Sequence, residues 1–170
     1  GAGPFESYED KRCATWIDRF DSTVSHEHVD YIKPQENGSH CDTLALLLSE
    51  EDGEALAVEG DDAFSFSVSH YTQEELAATR HNYELEESPY TILCLDYRMS
   101  GLGSNSCGPL TREEFQVKED HLEVSFRLVP GLAEERDDDE YFADDFSLQD
   151  YAFYGNDAAE IEAVEGGEEV

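Results

Sequence analysis

Alternation of apolar and polar positions is the clearest signal in this chain. Residues 63–71, AFSFSVSHY, place two phenylalanines and a valine on one face and three serines on the other, a pattern that predicts a half-buried strand. Residues 121–129 alternate in the same way, and the longer apolar run at residues 89–99 predicts a further strand. The chain is therefore expected to be rich in short β-strands.

Turn and cap signals connect these runs. Residues 43–60, TLALLLSEEDGEALAVEG, predict two strands joined across the acidic turn at residues 51–53, although LALLL by itself also suits a helix. Thr72 is the expected N-cap of one short helix, because Glu75 follows it at capping-box spacing. Frequent short strands with turns between them predict a mostly β fold, an antiparallel β-sandwich with one short helix.

Composition changes near Pro130 and predicts two domains, residues 1–129 and residues 130–170. Residues 131–170 hold 15 acidic residues and a single base, Arg136, and a charge run of this kind is usually a solvated tail. The same segment includes EYFADDFSLQDYAFYG, which is unusually aromatic for such a tail. Docking of the tail on the body or on a partner, and disorder of the tail, therefore both stay open.

The formal net charge of this 170-residue chain is −32, from 42 acidic and 10 basic residues. Such a field repels polyanions, so neither nucleic acid nor a membrane is an expected partner. The sequence also contains no apolar run long enough to span a bilayer. It begins without a secretory signal pattern or an initiator Met, which suggests a piece excised from a longer chain.

The cysteines and histidines predict no metal site. The four cysteines form no C-x-x-C pair: Cys13, Cys41, Cys94 and Cys107. Reduced thiols in a cytoplasmic protein are therefore expected, rather than a structural zinc site or a thioredoxin-like motif. His26, His28 and His40 lie in loop-like sequence without helical i, i+4 spacing, so we expect exposed or structural roles for them.

One loop-like stretch is a candidate site. YRMSGLGSNSCGP, residues 97–109, surrounds one cysteine and one asparagine with backbone-permissive residues. It is either a hairpin connection or a place where the backbone must lie close to a ligand, because glycine has no Cβ and tolerates positive φ. It does not match a dinucleotide-binding loop, because the third glycine is displaced and Pro109 stands where a helix should open. The residues by themselves show no catalytic constellation.

Four blocks of sequence carry a resemblance to a known family. They are GAGPFESYEDKR at 1–12, YIKPQENGSHCDT at 31–43, FSFSVSHYTQEEL at 64–76 and LDYRMSGLGSNSCGP at 95–109. In this order they strongly resemble the C-terminal domain of the large β-galactosidases of glycoside hydrolase family 2, over residues 1–129. The resemblance implies the latter half, or small-chain region, of a large antiparallel supersandwich of the galactose-mutarotase-like type.

The resemblance also implies a role for the candidate loop. In this family the domain packs on the catalytic barrel and extends a loop to the rim of the sugar site, and residues 101–109 resemble that loop. The residues expected at the substrate rim are Ser104, Asn105, Ser106 and Cys107, and those expected to set the loop geometry are Gly101, Gly103 and Gly108. In some members a tryptophan stands at the position of Cys107 and forms an apolar platform for the sugar. A purely structural loop is the alternative.

The same resemblance implies what this chain lacks. The two catalytic glutamates of these retaining enzymes and their magnesium ligands belong to the barrel domain, so no catalytic residue, metal ligand or cofactor is expected here. The expected partners are the remainder of the β-galactosidase chain or its large subunit, and a galactoside substrate such as lactose. The alternative is a stand-alone, non-catalytic module of the same fold that binds carbohydrate or another protein.

Overall fold

A computed structural model describes residues 1–50, 53–103 and 108–132. Antiparallel strands dominate these residues, with one α-helix and three short 3-10 helices among them. The strands are β1 (Ala2–Gly3), β2 (Trp16–Ile17), β3 (His40–Ser49), β4 (Glu54–Ser69), β5 (Ile92–Asp96) and β6 (Phe126–Leu132). The helices are α1 (Gln73–Ala78) and the 3-10 helices Arg12–Ala14, Asn82–Glu84 and Glu113–Phe115.

The 16-residue strand β4 is the spine of the main sheet. On one edge it pairs with β3, in a register that runs from Ser49 opposite Ala55 to His40 opposite Phe66. On the other edge it pairs first with β6, along residues 54–60, and then with β5, along residues 65–69. A separate two-stranded sheet joins β1 to β2. Every pairing is antiparallel, which confirms the mostly β, antiparallel fold class and is consistent with a sandwich-like fold.

The hairpin between β3 and β4 forms where the sequence predicts it. Glu50 donates its backbone N–H to the carbonyl of Glu54 at 2.8 Å, and Gly53 adopts a φ of 93° that most side chains would disfavour. Residues 51 and 52 of the predicted turn lie outside the described residues. The run LALLL is strand rather than helix, and residues 45–48 of it pair in register with β4.

Strand β3 is irregular near its start. The pairing of β3 with β4 shifts register between His40 and Thr43 and again between Thr43 and Ala45. Asp42 lies in this irregularity with a φ of 53°, in the left-handed region that aspartate tolerates better than most residues. Its carboxylate forms an ion pair with the Arg12 guanidinium, so the bulge ties the N-terminal segment to β3.

The core includes side chains on both faces of β4. Phe64 and Val68 are buried as the alternating pattern predicts, and Phe64 packs edge-on against Phe126 with ring centroids 5.4 Å apart. However, Ser65 on the predicted solvent face is also buried, and Phe66 is only half-buried, with its ring stacked on His40. Strict alternation therefore overstates the difference between the two faces, since neighbouring segments cover both at this end of β4.

The helix α1 has the predicted N-terminus. Thr72 is extended, and its hydroxyl accepts the backbone N–H of Glu75 at 3.1 Å, as an N-cap should. The Glu75 carboxylate accepts from the Thr79 hydroxyl and from the backbone N–H of Glu86. The cap therefore forms, while the Glu75 side chain bonds toward the helix C-terminus and the segment that follows it.

Lys33 provides hydrogen bonds to the carbonyls at the C-terminal end of α1. Its ammonium donates to the carbonyls of Leu76 at 3.3 Å and Ala77 at 3.1 Å, and also to that of Thr79. These carbonyls lack helical partners at a helix C-terminus, where the macrodipole also favours a cation. Lys33, which is distant in sequence, therefore caps the C-terminus of a helix of only six residues.

The other predicted strands differ from the observed ones at their ends. β5 covers five residues rather than the eleven of residues 89–99, and β6 begins at Phe126 rather than at residue 121. β6 continues through Pro130, which lies opposite Leu56, so strand structure extends past the predicted boundary at residue 130. The division into two domains itself stays a prediction. Among the described residues no helix reaches the length and apolarity needed to cross a bilayer.

Replacement of Thr72 by Ala should lower the free energy of unfolding by about 1 kcal/mol, because the Glu75 N–H loses its side-chain acceptor. Thr72→Ser is the matched control, since serine keeps the hydroxyl and should stay near the wild-type value. Urea denaturation of the purified protein measures both. Equal losses in the two variants would show that the cap contributes nothing.

Candidate functional site

The candidate site is the loop predicted to reach a sugar. The four residues expected to contact substrate lie outside the described residues: Ser104, Asn105, Ser106 and Cys107. Both stems of the loop are described, residues 100–103 and residues 108–111. The contact role of the four residues stays a prediction, and the structure describes how the chain on either side of them is held.

Asp10 holds the first stem. Its Oδ1 accepts the backbone N–H of Leu102 at 3.0 Å, and its Oδ2 accepts that of Gly103 at 2.7 Å. Both carboxylate oxygens are therefore used on two consecutive peptide groups. Gly101 is buried beside this carboxylate, and a Cβ at that position would lie 2.7 Å from the Asp10 carboxyl carbon. The close approach is possible because residue 101 has no side chain.

Thr111 holds the second stem against the first. Its hydroxyl donates to the carbonyl of Gly101 at 3.1 Å, while the Gly101 N–H donates to the carbonyl of Phe115 at 2.7 Å. Gly103 has a φ of 59°, and a Cβ there would lie 2.5 Å from the Thr111 hydroxyl oxygen. Gly108 is exposed. The polar groups of Gly101 are thus saturated by two neighbouring segments.

Ion pairs add to these contacts. Arg98 lies 3.6 Å from a Glu9 oxygen and 3.4 Å from a Glu119 oxygen, and Glu9 also faces Arg12 at 3.5 Å. The Arg98 side chain is 38% exposed, and pairs of that exposure contribute little free energy. The hydrogen bonds that Asp10 accepts are directional and act on the backbone of the first stem itself.

The segment that contains Asp10 is anchored by a buried carboxylate, Glu6. Its Oε1 accepts from the Lys11 ammonium at 2.5 Å and from the Tyr31 hydroxyl at 2.9 Å, and its Oε2 accepts from the Gly38 N–H at 3.0 Å. Burial acts to raise the pKa of Glu6, but the hydrogen bonds from Lys11, Gly38 and Tyr31 outweigh it and hold the pKa below its usual value of 4.5. Glu6 is therefore a satisfied internal anion.

A half-buried carboxyl, that of Glu36, behaves in the opposite way. The Tyr8 hydroxyl, in a fully buried side chain, donates to Glu36 Oε2 at 2.6 Å. Burial raises the pKa of Glu36; the bond from Tyr8 opposes this, and the charges of Glu6 and Asp96 raise it further. Burial also raises the pKa of Asp96, while burial and the Glu6 carboxylate raise that of Tyr31 to about 12. The protein thus favours the ionised form of Glu6 and disfavours ionisation of the neighbouring Glu36.

His40 has the structural role expected of it. Its Nε2 lies 2.7 Å from a Glu27 oxygen, and its Nδ1 lies 3.0 Å from the carbonyl of Ala2. Burial acts to raise the pKa of Glu27, but hydrogen bonds from His40 and Ser22 lower it overall. Both ring nitrogens are therefore engaged with oxygen acceptors, and the ring packs on Phe66. Within the described ranges no cluster of three metal-ligating side chains occurs.

The described cysteines are free thiols: Cys13, Cys41 and Cys94. Cys13 is exposed, Cys41 is buried and Cys94 is half-buried. Cys107 lies outside the described residues. The expectation of reduced thiols therefore agrees with all of the cysteines that the structure describes.

Sequence reasoning missed the residues that hold this region together. Asp10, Glu6 and Glu36 are three among 42 acidic residues, and nothing local separates an acceptor for a distant backbone from a solvated charge. Their positions inside two of the four recognised blocks were the available signal, since Glu6 and Asp10 lie in residues 1–12 and Glu36 lies in residues 31–43.

Comparison with known proteins is informative over most of the described chain. A family model described as "Beta galactosidase small chain" matches residues 1–128. A β-galactosidase of Actinobacillus pleuropneumoniae is 44% identical over 131 residues, which cover 76% of this chain and 12% of that protein. A β-galactosidase of Staphylococcus xylosus is 43% identical over 75% of this chain and 13% of its own length, and one of Vibrio vulnificus is 36% identical over 77% and 12%. The chain thus spans about one eighth of the length of these relatives.

Replacement of Glu36 by Gln should make the protein more stable at neutral pH. The raised pKa of Glu36 means that its contribution to stability is complete below 4.5, the usual value, and is lost as the pH rises through the folded-state pKa. Glutamine keeps an acceptor for Tyr8 without the charge. The melting temperature of the variant should therefore exceed that of the wild type at pH 7 and converge with it below pH 4.5.

Glu6→Gln is the matched comparison, and it should lower the stability of the protein at pH 7. The lowered pKa of Glu6 means that its contribution is present above 4.5 and is lost as the pH falls through the folded-state pKa. The glutamine amide would also place N–H groups opposite hydrogen-bond donors that face a carboxylate oxygen in the wild type. The free energy of unfolding at pH 7 should therefore fall by about 2 kcal/mol. Melting curves that shift in the same direction at pH 7 for both variants would contradict this arrangement of charges.

Proposed function

The chain belongs to the β-galactosidase small-chain family, and on this premise we propose that it is the C-terminal accessory domain of a family 2 β-galactosidase. It packs on the catalytic barrel and contributes residues 101–109 to the rim of the sugar site of an enzyme that hydrolyses terminal β-galactosides such as lactose. The observation that carries the proposal is the pairing of high identity, 44% over 76% of the chain, with coverage of only 12% of the relative. A piece of this kind works with the remainder of an enzyme.

Exposed apolar side chains support the remainder of the enzyme, in the same chain or as a large subunit, as the partner. Leu128 on β6 is 52% exposed, and Leu122 and Val124 just before it are also exposed. Leu110, beside the second stem of the loop, is 72% exposed. Exposed apolar side chains of this kind are available for burial against another protein segment.

The chain takes no part in bond cleavage under this proposal. Retaining glycosidases need a nucleophile and an acid/base carboxyl about 5 Å apart across the sugar, and the resemblance assigns both, together with magnesium, to the barrel. Two of the described carboxylates, the buried Glu6 and the half-buried Glu27, accept hydrogen bonds from internal donors. The contribution of this chain is the shape and polarity of one wall of the site.

We also propose that the protein works in the cytoplasm. The free thiols at Cys13, Cys41 and Cys94 support this, because disulfides are characteristic of oxidising compartments. Cys13 is exposed and would be the first of the three to react in an oxidising environment.

The purified chain should not hydrolyse a chromogenic β-galactoside, because it supplies a rim and no carboxyl pair. The intact β-galactosidase that contains this sequence is the positive control. Turnover by the chain that survives removal of every trace of host enzyme would contradict the proposal.

In the intact enzyme, Asn105→Ala and Cys107→Trp should change the KM for galactoside by an amount equivalent to about 1–3 kcal/mol, as expected for one hydrogen bond or one apolar contact. The pH dependence of kcat/KM should not move, because the acid and base lie elsewhere. Glu86→Gln, an exposed position beyond α1, is the control variant. Unchanged KM and galactosyl transfer in both loop variants would mean that the loop is only structural.

A further inference from the structure

One side chain connects the N-terminal segment to the candidate loop across most of the chain. The bonds from Leu102 and Gly103 to the Asp10 carboxylate join residues 92 and 93 positions apart. Asp10 itself is half-buried. A carboxylate that accepts two consecutive backbone N–H groups fixes both the position and the orientation of that stretch of backbone.

We propose that Asp10 is a positioning residue for galactoside binding, which acts by fixing the peptide groups of residues 102 and 103. The proposal rests on the proposed function, since it assumes that residues 101–109 form part of the sugar-site rim. Asp10 touches no substrate. It fixes the backbone of the first stem at residues 102 and 103, directly before the four residues predicted to contact the sugar.

The segment that carries Asp10 is held in place by burial and by hydrogen bonds, as a positioning role requires. Tyr8, two residues before it, is fully buried, and its carbonyl accepts the Lys11 N–H at 2.8 Å. Ser7 donates its N–H to the carbonyl of Ser39 at 2.6 Å, and its hydroxyl accepts the Cys41 N–H at 2.9 Å. Ser7 thereby binds the segment to Ser39 and Cys41, on either side of His40 at the start of β3, and Asp10 transmits that fixed position to the loop.

The chemistry of the contact selects aspartate at this position. Asparagine would offer one acceptor oxygen, and its amide would face the second N–H donor, so one of the two bonds would be lost. Glutamate would keep the charge but add a methylene in a space so narrow that even a Cβ on residue 101 would lie 2.7 Å from the Asp10 carboxyl carbon. Gly101→Ala disturbs the same contact from the other side, because its Cβ would lie 2.9 Å from each Asp10 oxygen.

The test uses the intact β-galactosidase. Asp10→Asn should raise the KM for galactoside about 3- to 10-fold, the loss expected for one hydrogen bond that sets binding geometry, with kcat within about 2-fold. The melting temperature should stay within a few degrees, and hydrogen exchange should accelerate at the amides of residues 102 and 103. Asp62→Asn makes the same chemical change at an exposed position of β4 and should leave all four measurements unchanged.

A double-mutant cycle separates this proposal from the proposed function. If Asp10 acts through the loop, Asp10→Asn and Asn105→Ala should be non-additive in KM, because both remove the same placed contact. If Asn105→Ala and Cys107→Trp change KM while Asp10→Asn does not, the positioning role is wrong and the rim role stands. If none of the three changes KM, the rim role fails and the positioning role fails with it.

Gly101→Ala keeps the proposal testable should Asp10→Asn fail to fold. It retains the carboxylate and displaces it, so it should show the same split between KM and kcat and the same faster exchange at residues 102 and 103. A wild-type KM in a folded Gly101→Ala enzyme with accelerated exchange at those amides would overturn the proposal.

Discussion

The buried carboxylate of Glu6 is the contact on which the arrangement of the N-terminal segment depends. An ionised side chain that is 7% exposed is tolerated only because Lys11, Tyr31 and Gly38 supply donors to both of its oxygens. Removal of any one of those donors would leave charge in a medium that solvates it poorly. The segment therefore has one favourable position against the sheet, and Tyr8 and Asp10 follow from that position.

The excess of acid makes the placement of each base decisive. Ten basic residues serve 42 acidic ones, and those described in detail here are used at joints between segments. Lys11 donates to the buried Glu6 carboxylate, and Lys33 caps the C-terminus of α1. Arg12 joins the N-terminal segment to the bulge of β3. Burial raises the pKa of Glu36 and that of Asp96, and neither carboxyl has an ion pair with a base among the residues that the structure describes. Stability should accordingly reflect opposing contributions from neighbouring carboxyls as the pH changes.

The main sheet and the stems of the candidate loop are held by different kinds of contact. β4 is paired on both edges and packs Phe64 and Val68 into the core, whereas Leu128 on β6 stays exposed. The loop stems, by contrast, are held by polar contacts, among them the hydrogen bonds to the Asp10 carboxylate, from the Thr111 hydroxyl and to the Phe115 carbonyl. The exposed apolar side chains and the hydrogen-bonded loop stems are the features on which the proposed docking and rim roles rest.

Features that depend on near neighbours along the chain were predictable from the amino-acid order. The hairpin of residues 43–60 and the Thr72 cap of α1 were predictable because turn chemistry, alternation and capping act over a few residues. Four sequence blocks were also enough to indicate the family. The length of β5, the burial of Ser65 and the role of Asp10 were decided only by the tertiary structure. The reason is physical: a carboxylate bound to amides 92 residues away looks the same in sequence as any solvated acid, and only the folded chain brings its donors within 3 Å.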